Sequence, residues 1–376
     1  MVHFFPFGAT TSDCIEVIGS APDPTFGHYG AESVVLVPTA RSGPVIICYD
    51  QEPLLPSYNK PVFEHIKENY VWIHPSSLTN FKTQSLILVN TELDSDAKDQ
   101  ILAAHGLIDC YYFFHAFAAQ DWYRGYQYNV DLLPPRKRTV KKKLITFNRL
   151  TSNARIYRSL LVNELLKHNI ADDSYISFSR DCPDGSSFDQ ELKKHAAAYC
   201  IPEMLVNETI TSINNYPSDF RIDSLGTDAI DNSSFKINAL DQNLESFLHV
   251  VTETCYWGRK KHLTEKIFKP IVLRQPFVLV GCAQNLEYLK SYGFKTFDRW
   301  WDESYDQIED DVARMHAIGK LLADICSKDC KQLTGMLHDM EEILEYNYRW
   351  FYSQEFLNNC WTEFSTNLTA ALKNKP

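Results

Sequence analysis

The sequence predicts an α/β protein made of two doubly wound domains. Three observations carry that expectation. Short β-branched runs alternate with helix-spaced segments in both halves of the chain. A break rich in proline and charge, DLLPPRKRTVKKK at 131–143, interrupts the alternation. The length, 376 residues, suits two domains of ordinary size.

In the first half, 33–38 (SVVLVP) and 44–49 (PVIICY) read as buried parallel strands. Helical spacing follows over 61–69, then further strands at 70–74 (YVWIH) and 85–89 (SLILV). Residues 94–105 carry acidic side chains early and Ile101 and Leu102 later, as a helix does. The apolar, aromatic run 107–117 fits either type. After the break, a strand at 144–148 (LITFN) leads through a polar turn at 151–153 into a helix over 154–168. Its spacing puts Ile156, Leu160, Leu161, Leu165 and Leu166 on one face. A strand at 173–179 (DSYISFS) comes next, and the polar stretch 201–243 shows no assignable pattern. Residues 247–253 (FLHVVTE) form a strand that ends on a carboxylate. TEKIFKPIVLR at 264–274 is a helix with Ile267, Phe268, Ile271 and Val272 on its apolar face, and Pro270 cuts its regular bonding short. Another strand at 276–280 (PFVLV) precedes helical segments from about Tyr305 to the aromatic stretch 346–351.

Composition narrows the function. Hydrophobic residues make up 44% and charged residues 23%, which argues for a folded globular chain. No apolar run is long enough to span a bilayer, and MVHFFPFGATTSDC lacks a basic region and an apolar core, so a soluble, cytoplasmic protein (of the producing or host cell) is expected. Ten cysteines are scattered without a CxxC pair or a zinc-like cluster, although Cys326 and Cys330 would share a helix face. Reduced thiols and no structural metal are the expectation. Residues 1–134 hold six basic against fifteen acidic residues, and the run 135–145 holds six basic residues and no acid. With a net charge of −11, the broad basic footprint of a nucleic-acid binder is missing.

Ligands of such sheets bind beyond the carboxyl ends of the strands. Glu253, the loop 254–262 with Arg259, Lys260 and Lys261, and the turn at Thr264–Lys266 all fall at that edge. Thr264 can cap the following helix, whose free N–H groups together with Lys266 suit a diphosphate. Glu265, expected to be exposed, can accept from ribose hydroxyls. The plainer alternative is a capped helix with a solvated lysine.

Here VTET, LTEKIFKPI, PFVLVG and GFKTFDRWWDESYD, within 247–306, resemble the donor-domain signature of GT-B glycosyltransferases. The segment is similar to the fucosyltransferase-like and exostosin-like groups and to related proteins of phages and large DNA viruses. FNRLTSNARIYRSLL adds weaker support, and the first half matches no family motif. The resemblance implies a GT-B-like fold, two Rossmann-like domains facing across a cleft. They would be an acceptor domain at 1–134, a basic linker at 135–143, and a nucleotide-sugar donor domain at 144–345. A helical tail at 346–376 would be able to pack back on the first domain. It also implies that no essential metal and no cofactor beyond the nucleotide-sugar co-substrate is needed. Glu253, Thr264, Glu265 and Lys266 match the donor-binding segment. Arg149, closing the strand 144–148, would sit opposite and grip a phosphate bidentately, with Arg155 and Arg158 as weaker candidates. Trp300, Trp301, Asp302 and Tyr305 either shape a sugar pocket or pack the domain.

Inverting transfer needs a base for the acceptor hydroxyl and positive charge for the leaving diphosphate. Asp50 and Glu52, straight after the strand VIICY, are the candidates for that base, since burial or mutual repulsion can raise one pKa. A turn before Pro53 explains them equally well, and Asp13 and His74 are weaker alternatives. The expected activity is transfer of a sugar to a glycan, a lipid-linked sugar or a hydroxylated base of phage DNA, and the net charge points away from DNA. Retaining chemistry stays open. A two-domain sugar-nucleotide epimerase and a non-catalytic two-domain binding protein are the competing readings.

Overall fold

A computed structural model describes residues 3–5, 45–49, 53–54, 86–124, 138–182, 185–217, 220 and 239–373. The protein is α/β with parallel sheets. The expected elements at 33–38, 61–69 and 70–74 lie outside the described residues. The chain divides into two compact units, one of Met1–Ala118 with Leu357–Pro376, the other of Ala119–Phe356.

The first unit holds a parallel sheet in the order β1 (His3–Phe5), β2 (Val45–Tyr49), β3 (Leu86–Asn90) and β4 (Leu107–Tyr111). Ile87, Leu88 and Val89 are buried, as the unbroken apolar run requires. Helix α1 (Asp96–His105) starts where Ser95 accepts from the Lys98 amide at 3.2 Å, and Asp96 and Asp99 complement its positive end. It stops at Gly106, whose φ of 62° closes the last turn without a Cβ clash. The ambiguous run 107–117 splits into β4 and the start of α2 (Phe114–Arg124).

The second unit is built on a parallel sheet in the order β6 (Tyr175–Phe178), β5 (Lys142–Asn148), β7 (Ser246–Thr252) and β8 (Phe277–Val280). Lys142 and Lys143 of the basic run therefore belong to a strand. Strand β7 is buried along its whole length, as expected between two neighbours and two covering layers. The chain steps from β5 to β6 on one side and then returns to β7 on the other. The order thus reverses between β5 and β7, and their carboxyl ends form the topological switch point of the sheet.

Helix α3 (Tyr157–Lys167), entered through a 3-10 turn at Asn153–Ile156, joins β5 to β6. The single apolar face read from the sequence is not what forms. Residues Tyr157 to Leu165 are all buried, because α5 (Glu203–Asn215) and α9 (Asp311–Cys326) pack on α3 from different sides. Two of its polar side chains pair with the neighbouring helices: Asn163 Nδ2 donates to Glu208 Oε1 at 3.2 Å, and Glu164 Oε1 lies 2.7 Å from His316 Nδ1. Between β6 and β7 stand α4 (Phe188–His195), α5 and α6 (Leu240–Glu245). After β7 come a 3-10 turn at Glu265–Ile267 and α7 (Phe268–Val272), only five residues long around Pro270. Helix α8 (Asn285–Ser291) follows β8, and α9, α10 (Cys330–Asp339), α11 (Glu341–Phe351) and α12 (Gln354–Lys373) complete the chain. Cys326 ends α9 and Cys330 begins α10, so the two thiols do not share a helix face. The intervening Asp329 caps α10 through the Gln332 amide and stops the helix from running through. From Leu357 onward α12 belongs to the first unit, where Asn367 Nδ2 donates to the Tyr111 carbonyl at 3.1 Å. Among the described residues no helix is long and apolar enough to cross a membrane.

Two outcomes follow from this packing. A Cβ at Gly319 would lie 2.2 Å from Glu164 Oε2 and 2.9 Å from Glu164 Cβ, so Gly319→Ala forces α9 away from α3. Chemical denaturation is expected to show a loss of about 1–3 kcal/mol, the usual range for overpacking. His249 on β7 is buried, with Nδ1 3.1 Å from Asn243 Oδ1, and burial with the nearby Lys269 charge pushes its pKa down to about 3. The unfolded chain binds that proton near pH 6.5 and the folded one does not. Stability is therefore complete above pH 6.5 and declines as pH falls toward about 3. His249→Gln is expected to flatten the slope of unfolding free energy between pH 6.5 and 5 by up to about 1.4 kcal/mol per pH unit.

Candidate functional site

The carboxyl ends of β5 and β7 bring together most of the residues that the sequence singles out. Glu253 follows the last residue of β7, and its side chain is fully buried. Oε1 and Oε2 accept from the Thr264 amide at 3.2 and 3.3 Å, Oε2 accepts from the Thr264 hydroxyl at 2.5 Å, and Oε2 also accepts from the Thr254 amide at 3.3 Å. Burial raises the Glu253 pKa, against the opposing pull of the Lys266 charge and the Thr264 hydrogen bonds. Thr264 caps the turn that follows, accepting from the Lys266 amide at 3.4 Å. The cap expected from the sequence is thus present, with Glu253 folded in beneath it.

Lys266 is half-buried. Its ammonium donates to Thr254 Oγ1 at 3.2 Å, Thr264 Oγ1 at 3.3 Å and Glu265 Oε1 at 2.8 Å. Glu265 is not the exposed group that the sequence suggests: it is buried. Its carbonyl accepts from the buried Tyr123 hydroxyl at 3.1 Å, which draws the backbone inward, and the Lys266 charge compensates the sequestered carboxylate.

Arg149 follows β5 and is half-buried, as is Arg155 in the 3-10 turn. Arg158 has a different place. It is buried, donating to the carbonyls of Leu150 at 3.0 Å and of Thr252 and Glu253 at 3.3 Å each, so it ties the exits of β5 and β7 to α3. The Tyr157 hydroxyl donates to the same Glu253 carbonyl. Arg314 plays the matching part beyond β8. Fully buried, it donates to the carbonyls of Gly281 at 3.2 Å, Tyr256 at 2.7 Å and Ile308 at 2.7 Å.

These ties fix the basic loop 254–262. Tyr256 stacks on Tyr157 with ring centroids 4.6 Å apart, Trp257 stacks on Tyr199 at 4.5 Å, and the Trp257 indole donates to the Ala154 carbonyl at 2.7 Å. Of its cations, Arg259 is exposed, Lys261 half-buried and Lys260 buried. In the downstream turn Trp301 packs on Phe297 at 5.1 Å, and the buried Tyr305 hydroxyl accepts from the Leu279 amide at 3.2 Å. Asp302 is exposed and accepts from the amide and hydroxyl of Ser304, each at 2.8 Å, which lowers its pKa. Packing accounts for the contacts of Trp301 and Tyr305. Asp50, Glu52, Asp13 and His74 lie outside the described residues.

Glu253 and Glu265 thus face inward, while Lys266, Arg149, Arg155, Lys261 and Arg259 keep contact with water. An arriving anion would meet cations and would compete with Glu265 for the Lys266 ammonium. Sequence reasoning missed the bracing by Tyr157, Arg314 and Tyr123 and offered Arg158 only as a weaker phosphate candidate. The available signal for Arg158 was an arginine set inside a buried stripe, between Ile156 and Leu160. Compared with known proteins, the chain matches no family model, no curated protein and no solved structure.

Arg158→Met leaves three inward carbonyls without their charged donor, and hydrogen bonds to charged groups contribute about 1.5–3 kcal/mol. Its unfolding free energy is expected to fall by about 2–4 kcal/mol, whereas Arg259→Ala should change it by less than about 0.5 kcal/mol. Urea titration of both variants checks the contrast.

Proposed function

We propose that the second unit binds a nucleoside-diphosphate sugar and that the chain is a glycosyltransferase of GT-B type. One observation carries the reading. At the switch point of an all-parallel sheet, Lys266 and Arg149 are water-accessible cations, while Glu253 and Glu265 are turned inward. That polarity favours a diphosphate, and the sequence likeness of 247–306 to donor-binding segments agrees with it.

In this reading the acceptor oxygen attacks the anomeric carbon as its proton passes to a carboxylate base, for which Asp50 and Glu52 are the candidates. The bond from the anomeric carbon to the diphosphate oxygen breaks, and the nucleoside diphosphate leaves with the electron pair. Lys266 and Arg149 stabilise the charge that develops on the leaving group. Attack opposite the leaving group inverts the anomeric centre, and the two cations take the part that a metal plays elsewhere. The acceptor is a glycan or lipid-linked sugar, in keeping with a net charge of −11 that repels DNA.

Thermal-shift measurements with UDP, GDP, ADP and CMP and their common sugar conjugates, with and without EDTA, test the reading. One nucleoside diphosphate at about 100 times its Kd is expected to stabilise the protein by about 2.7 kcal/mol, unchanged by EDTA. Lys266→Ala is expected to weaken that binding at least tenfold, about 1.4 kcal/mol, in a protein that still folds. Asp50→Asn or Glu52→Gln should lower turnover with donor affinity kept. Silence across the whole panel contradicts the proposal.

A further inference from the structure

We infer that Asn148 is a binding residue for the ribose of the nucleotide, an inference that rests on the nucleoside-diphosphate reading. Asn148 is the last residue of β5, at the switch point, and its side chain is fully buried. It pairs in register with Phe178 of β6. Thr146 pairs with Val250, which sets Thr252 of β7 beside Asn148 on its other side. Asn148 Nδ2 donates to Thr146 Oγ1 at 3.2 Å, back along the strand. The two branches of an amide diverge from one carbon, so Oδ1 does not share the Thr146 contact that Nδ2 makes.

That oxygen has no hydrogen-bond partner. The neighbouring Thr252 hydroxyl donates to the Phe147 carbonyl at 2.9 Å instead. Buried polar atoms are usually paired, and here only half of the amide is, through Nδ2. An amide oxygen left unpaired here fits a partner that comes with the ligand. The partner must donate a hydrogen. Phosphate oxygens at neutral pH only accept, which leaves the ribose hydroxyls and the base N–H groups. Arg149, the phosphate candidate, is the next residue along the chain. The ribose is bonded directly to the phosphate and the base is one sugar further away, so a ribose hydroxyl fits a residue next to the phosphate candidate. Because Asn148 is closed to water, the hydroxyl arrives by replacing the group that covers it.

Asn148→Leu, nearly isosteric, separates the roles. Isothermal titration with UDP, GDP and their 2′-deoxy and 3′-deoxy counterparts is run on both proteins. The variant is expected to fold with a Tm lowered by no more than the loss of the Thr146 hydrogen bond, and to bind the preferred diphosphate about tenfold more weakly. One deoxy compound should lose affinity for the wild-type protein but not for the variant. Equal affinity of the two proteins for the ribose form, or an equal deoxy penalty in both, overturns the inference and leaves the nucleotide site standing. Failure of the wild-type protein to bind any of these compounds overturns both. If Asn148→Leu does not fold, Asn148→Ala carries the same comparison.

Discussion

The carboxylate of Glu253 is the group around which the edge of the second sheet is folded. A carboxylate with no access to water is tolerable only when hydrogen-bond donors surround it. Here they come from the Thr264 amide and hydroxyl and the Thr254 amide, so the loop after β7 must close back on the strand it has just left. That closure places Thr264 as a cap and brings the Lys266 ammonium beside it. The Glu253 carbonyl is held from the opposite side by Arg158 and Tyr157, which fasten the start of α3 to the same point. Helix and loop are thus set by the two ends of one residue.

The same economy shapes the electrostatics. Burying Glu253 and Glu265 removes negative charge from the rim without removing the residues that organise it. The two buried arginines direct most of their donors to backbone carbonyls, Arg314 also pairing with Asp311, and are structural braces. The cations Lys266, Arg149, Arg155, Lys261 and Arg259 remain accessible. The Glu265–Lys266 pair at 2.8 Å holds the ammonium in place in the absence of ligand, and a phosphate would replace a carboxylate oxygen rather than organise a flexible chain. A side chain already fixed in position loses less freedom on binding than one recruited from solvent.

Much of the architecture is legible in the sequence where one physical rule dominates. VIICY, LILV, LITFN and FLHVVT become parallel strands because runs of this kind are stable only when covered on both faces. Reading fails where tertiary partners decide. The apolar stripe of α3 is real, but α5 and α9 bury the remaining faces too, and α5 itself hides in a stretch whose polar composition masks Leu205, Val206 and Ile213. At the site, the Thr264 cap and the position of Glu253 at a strand end are local features, and both are readable. The inward turn of Glu265 depends on Tyr123, 142 residues away in the chain, and no local pattern announces it. The bracing by Arg314 likewise joins loops that only the folded sheet makes neighbours.

The central claim is that the carboxyl edge of β5 and β7 is where a nucleoside diphosphate binds. Hydrogen–deuterium exchange, with and without the nucleotide that gives the largest thermal shift, tests it most directly. The account predicts slowed exchange confined to 149–159 and 254–267, the segments that carry Arg149 and Lys266. Protection elsewhere, with these two segments unchanged, would contradict it.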